Sequence, residues 1–108
     1  MSVVTVTALF ATDEEARTIS RTVVEERLAA CANIGGPVYS IYRWQGAIEE
    51  AGEVAASFKT TALMAEALIA RIVELHGYDV PCVYSSPVTQ IAAAYADWVK
   101  ASVEGRGV

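Results

Sequence analysis

The chain has 108 residues, 54% of them hydrophobic, and its 13 acidic against 8 basic side chains leave a net charge of −5. That length suits a single domain, residues 1–108, that buries a core without disulfides or a structural metal. The acid excess, with no cluster of Lys or Arg, excludes nucleic acid as a partner, because phosphate neutralisation needs a basic patch. No apolar run approaches the roughly 18 residues of a membrane span, which excludes a membrane partner as well.

The apolar share exceeds what a small core needs, which points to a buried face beyond that core and so to a homo-oligomer. Cys31 and Cys82 form neither a CxxC pair nor a zinc-type spacing. The opening "MSVVTVTALFA" lacks the basic leader of an export signal and reads as a strand. A cytoplasmic protein with reduced thiols is the expectation.

In residues 2–11, Val4, Val6, Ala8 and Phe10 share one face, and Val3, Thr5, Thr7 and Leu9 the other. Two fairly apolar faces suit a central strand. Thr12 opens "TDEE", a capping box in which Glu15 reaches back to the cap amide. Ala16, Ile19, Val23, Val24 and Leu28 follow at helical spacing, so a helix is predicted to about Ala30. "CANIGGPV" begins a second strand that Gly35-Gly36-Pro37 bulges or bends. Alternation resumes from Val38 to Trp44. "QGAIEEAG" supplies a turn and the entry to a third strand ending at Phe58.

Thr60 or Thr61 caps a second helix, Ala62 to Leu75, and Gly77 stands where a left-handed C-cap belongs. "VPCVYSSPV" is a fourth strand whose prolines place it at an edge or interrupt it. "AAAYADWVKASV" is a short helix and "EGRGV" a frayed tail. The order β-α-β-β-α-β plus a terminal helix gives an α+β, ferredoxin-like antiparallel sheet with two helices on one face.

Several spaced motifs carry a resemblance. They are "RLAACANI" (27–34), "SIYRWQGAIEEAGEVAASFKT" (40–60), "HGYDVP" (76–81), "SPV" (86–88) and "YADW" (95–98). Taken in order over nearly the whole chain, they resemble the CutA family of divalent-cation tolerance proteins. Four positions depart from that pattern. Ala47 stands where a lysine follows the turn glycine, Gly77 replaces a proline, Asp79 replaces a glutamate, and Ile91 occupies a position where glycine is common. The resemblance implies a tight homotrimer with hairpins reaching across subunits, a link to copper and divalent-metal tolerance, and an architectural likeness to the trimeric PII signalling proteins.

Cys31 and His76 are the soft-ligand candidates besides Cys82, and thiolate with imidazole favours copper or zinc. Against ligation, Cys31 reads as a small buried hydrophobe, Cys82 as core, and His76 as a cation at the negative end of the second helix. Tyr42 and Trp44, alternating on one strand face, read as interface contacts first. Lys59, just before a helix N-terminus, suits an anion or, preferably, a salt bridge to Glu49 or Glu53 across the hairpin or a subunit boundary. A PII-like cleft between subunits would use Lys59 and Arg43 for a small anionic ligand. The lone histidine has no marked nucleophile or acid partner, and no phosphate loop is present, so an enzyme and an organic cofactor are not expected.

Overall fold

The computed structural model describes residues 2–107; the first residue of the opening strand reading and the last of the tail lie outside them. Strand β1 (Val3–Phe10) is followed by helix α1 (Asp13–Glu25), strands β2 (Cys31–Trp44) and β3 (Ala47–Thr61), helix α2 (Ala62–Leu75), strand β4 (Val83–Pro87) and helix α3 (Ala93–Glu104). The sheet order is β2-β3-β1-β4 with every pairing antiparallel. That is the ferredoxin-like arrangement expected from the order of elements.

Strand β1 is central, and its alternation sorts its side chains as predicted. Val6, Ala8 and Phe10 enter a core with Ala16, Ile19 and Val23 of α1, Ala56 and Phe58 of β3, and Leu68 and Ile72 of α2. Val3 points to the opposite face and packs with Ala30 and with Val99 of α3. The third helix thus covers the Val3 end of the second face.

The caps explain the boundaries. The Thr12 hydroxyl accepts from the Glu15 amide at 3.1 Å, while Glu15 reaches back one residue further than expected, to the Ala11 amide at 3.3 Å. Thr61, not Thr60, caps α2; the buried Thr60 hydroxyl instead donates to the Leu28 carbonyl at 2.7 Å.

Helix α1 stops at Glu25 rather than near Ala30, because Arg27 adopts φ 60°. The Leu28 amide then bonds to Val23 O and the Arg27 amide to Val24 O, a Schellman ending built on a non-glycine residue. The Arg27 guanidinium also donates to the Ser102 carbonyl at 2.7 Å, tying this corner to α3.

Gly77 is not left-handed. Helix α2 ends because His76 turns to extended backbone, φ −72° and ψ 145°. Strand β4 is shorter than expected and lies at the sheet edge, with residues 80–82 outside it.

Among the described residues, one buried side-chain polar atom lacks a partner. The Ser20 hydroxyl of α1 is buried with no hydrogen bond. Removing an unpaired buried hydroxyl abolishes a desolvation penalty. Ser20→Ala is therefore expected to stabilise the fold by about 1 kcal/mol, read as a higher urea midpoint at unchanged slope.

Candidate functional site

The β2–β3 hairpin is longer than the sheet that carries it. The third strand begins directly after a two-residue turn, Gln45-Gly46, with φ 49° and 83°. Two positive φ values give a primed turn whose twist matches the strands, so pairing continues to the tip. Strand β1 pairs only with residues 54–61 of β3. Val38–Trp44 and Ala47–Glu53 therefore project without a third strand, and the molecule measures 47 × 26 × 23 Å. The expected bulge is present: pairing shifts between Ile34 and Pro37, so Gly35 and Gly36 fall at the irregularity.

Register places Tyr42 opposite Glu49, Val38 opposite Glu53 and Trp44 opposite Ala47. Ser40, Tyr42, Trp44, Glu49 and Glu53 consequently line one wall of a cleft of about 780 Å³, with Arg43 at its edge. Leu9 and residues 77–82 form the other wall. The walls meet where the Tyr78 hydroxyl donates to Glu53 Oε2 at 3.3 Å.

Burial, then the neighbouring Glu53 charge, pushes the Tyr78 phenol up, and its bond to that carboxylate acts the same way. Cys82, expected in the core, is exposed at this cleft. It is the last residue of the 77–82 loop, directly before β4, and its valine neighbours do not enclose it. Partial desolvation and the Glu53 charge push its thiol up, which holds it protonated at neutral pH.

Five residues singled out from the sequence, Tyr42, Arg43, Trp44, Glu49 and Glu53, are thus brought together. Lys59 is not among them. It pairs with Cys31 and Thr5 in the sheet, and its ammonium donates to the Ser57 hydroxyl at 3.1 Å. Within one subunit the bridge to Glu49 or Glu53 across the hairpin does not form, because Lys59 sits six residues along β3 from Glu53, beyond side-chain reach.

Cys31 and His76 are also separated. Cys31 is level with Thr5 of β1, whereas His76 bonds to Leu9, four residues or about 13 Å further along. The Cys31 sulfur lies 3.4 Å from the Tyr95 hydroxyl, and that bond, with burial, pushes the Tyr95 phenol up to about 12.

The His76 side chain is fully buried. Its ring stacks on Phe10 at 5.0 Å. One nitrogen, Nε2, lies 2.7 Å from the Leu9 carbonyl, and the other, Nδ1, accepts from the Tyr78 amide at 3.1 Å. A carbonyl only accepts and an amide only donates, so the ring is the neutral Nε2–H tautomer with both nitrogens in use. Among the described residues, no three of His, Cys, Asp and Glu converge into a ready-made metal centre.

Sequence reasoning missed the second wall. Tyr78 and Asp79 both belong to it. The signal available was "HGYDVP" directly before an edge strand, since β4 pairing with β1 carries that segment to the hairpin base.

The sheet order, the helices and the projecting hairpin define a small ferredoxin-like protein of the α+β class whose cleft is walled by its own overlong strands. The model of the CutA1 divalent ion tolerance protein family matches residues 2–102, and the chain belongs to that family.

A divalent-cation tolerance protein from Thermus thermophilus is 43% identical over 88 residues, 82% of this chain and 85% of that one. The human CutA protein is 40% identical over 102 residues; the match covers 92% of this chain but 57% of the human sequence. The crystal structure of CutA from Xylella fastidiosa superposes with a TM-score of 0.92 at 33% identity, covering 95% of this chain and 99% of that one. One relative, from Arabidopsis thaliana, is named chloroplastic, and a structural neighbour from Archaeoglobus fulgidus is described as periplasmic. Among the described residues, no helix is long and apolar enough to cross a membrane.

Proposed function

We propose that the chain is a cytoplasmic, homotrimeric divalent-cation tolerance protein that binds copper or a similar cation weakly in the hairpin cleft, in a binding rather than a catalytic role. The observation that carries this reading is the cleft's donor set. Glu49, Glu53, Asp79 and the Cys82 thiol line it against a single cation, Arg43. Carboxylate with thiol suits zinc or copper, and the lack of a closed set of ligands fits weak rather than structural binding. Within one subunit this charge balance does not favour a small anion, which would meet three carboxylates in this cleft.

The test is calorimetric titration with Zn²⁺ as a redox-inert probe, then with Cu²⁺. Glu53→Gln and Cys82→Ser are expected to weaken binding, and Cys31→Ser to leave it unchanged. Because a protonated thiol must lose its proton to ligate, affinity is expected to rise with pH by up to about tenfold per unit while the thiol remains protonated. Cys82→Ser removes that slope. Equal affinity in the wild type, Glu53→Gln and Cys82→Ser would overturn the assignment. A thermal shift with nucleotides or small anions, lost in Arg43→Ala, would favour the anion reading instead.

A further inference from the structure

The 77–82 wall of the cleft has little regular structure of its own, so something outside it must set its position. Its start is held from α1. Glu15 carries two hydrogen bonds in different directions: Oε1 accepts from the Ala11 amide at 3.3 Å, and Oε2 accepts from the Gly77 amide at 2.9 Å. The same Oε2 lies 4.0 Å from His76 Nδ1.

The next amide, of Tyr78, is taken by His76, and the Tyr78 hydroxyl by Glu53. Three successive anchors therefore run from α1, through the loop, to the hairpin. The first of them depends on the residue at 77. A Cβ there would stand 3.0 Å from Glu15 Oε2, so the hydrogen-bonded carboxylate would have to give way by a few tenths of an ångström. Glycine supplies the donor and leaves the room.

The geometry points to Glu15 as a positioning residue for the cleft: it caps α1 with one oxygen and fixes the Gly77 end of the opposite wall with the other. Glu15 touches no cleft ligand; it acts through the loop that carries Tyr78, Asp79 and Cys82. As a statement about cation binding, this rests on the function proposed above.

A helix cap alone predicts something different, and Thr12 provides the comparison. Its hydroxyl caps the same turn of α1 by accepting from the Glu15 amide at 3.1 Å, a bond made within the helix start rather than to the loop. Thr12→Ala and Glu15→Ala both weaken the start of α1, and only Glu15→Ala releases Gly77. The Gly77 amide proton resonance, followed by NMR in the full-length chain, is expected to move upfield in Glu15→Ala and to stay in place in Thr12→Ala. Zn²⁺ affinity is expected to fall about 10-fold in Glu15→Ala, the usual effect of removing a group that supports a metal site, and to be retained in Thr12→Ala.

Glu15→Gln keeps the side-chain length but offers one acceptor oxygen for two amides, and is expected to shift the Gly77 resonance part of the way. An unmoved Gly77 resonance in Glu15→Ala, or equal losses of affinity in Glu15→Ala and Thr12→Ala, would overturn the proposal. If the wild type takes up no Zn²⁺ or Cu²⁺, the proposed function fails, while the Gly77 resonance still decides whether Glu15 holds the loop.

Discussion

Placing an acid on the outer face of the hairpin is expected to dissociate the proposed homotrimer into monomers. Tyr39, Ile41 and Ile48 are 68%, 66% and 59% exposed on a hairpin that projects beyond the sheet. They lie on the face opposite the cleft-lining Tyr42 and Trp44, with Ile41 paired to Glu50 and Ile48 to Arg43. A two-stranded ribbon with no third strand and no apolar cover is marginal in water, and exposed apolar area of this kind marks an interface.

In a homotrimer the face is covered once per subunit, so any substitution there acts three times. Ile41→Asp forfeits about 1.5–3 kcal/mol of apolar burial per copy and adds the desolvation of an unpaired carboxylate, of the order of several kcal/mol. Light scattering after size exclusion should report three chain masses for the wild type and one for Ile41→Asp. Leu63→Asp, at an exposed position on α2 away from the hairpin, should remain assembled. A monomeric wild type, or an Ile41→Asp variant that still carries three chain masses, would remove the hairpin from the proposed interface.

The fold was legible where a local pattern and its tertiary use agree. Alternation in residues 3–10 placed β1 at the sheet centre, the Thr12–Glu15 box located α1, and the glycines of "NIGGPV" marked the shift in β2 register. Sequence reasoning failed where one residue departs from the rule for its type. Helix α1 was overextended because nothing in "EERLAA" announces that Arg27 takes a left-handed conformation. The helix gains that ending from Leu28, which turns inward to pack against the core, and from the Arg27 bond to α3.

Gly77 misled in the opposite sense. A glycine after a helix suggests positive φ, but here its value is an open amide and a missing Cβ next to Glu15. The cleft was half legible for a similar reason. Hairpin residues share a face by period two, which a sequence displays, whereas Tyr78 and Cys82 join them only through the pairing of β4 with β1. Long-range pairing of that kind leaves no spacing to read.

His76 is expected to be the costliest single truncation near the cleft, as a structural residue rather than a metal ligand. The sequence alone leaves the two roles level; the hydrogen bonds of the ring favour the structural one. A cation coordinated at Nε2 would have to displace the Leu9 carbonyl, and one at Nδ1 the Tyr78 amide, each inside a site closed to solvent. His76→Ala deletes the stack on Phe10, orphans both of those backbone groups and leaves a cavity at the edge of the core.

Leaving a buried polar group unpaired costs about 1–3 kcal/mol, and truncating a large buried side chain to alanine about 2–5 kcal/mol. These losses overlap, because the cavity also gives the orphaned groups room to relax or to admit water. A net destabilisation of about 3–4 kcal/mol is expected. Urea unfolding of the wild type and His76→Ala, at equal chain concentration so that assembly is held constant, should show that difference in midpoint. Tryptophan fluorescence suits the measurement, since Trp44 lies in the cleft and Trp98 on α3. An unchanged midpoint together with lost copper binding would reverse the assignment and make the imidazole a ligand. A large drop in stability, with the Zn²⁺ affinity of the remaining folded protein governed by Glu53 and Cys82, is the outcome that the two occupied ring nitrogens require.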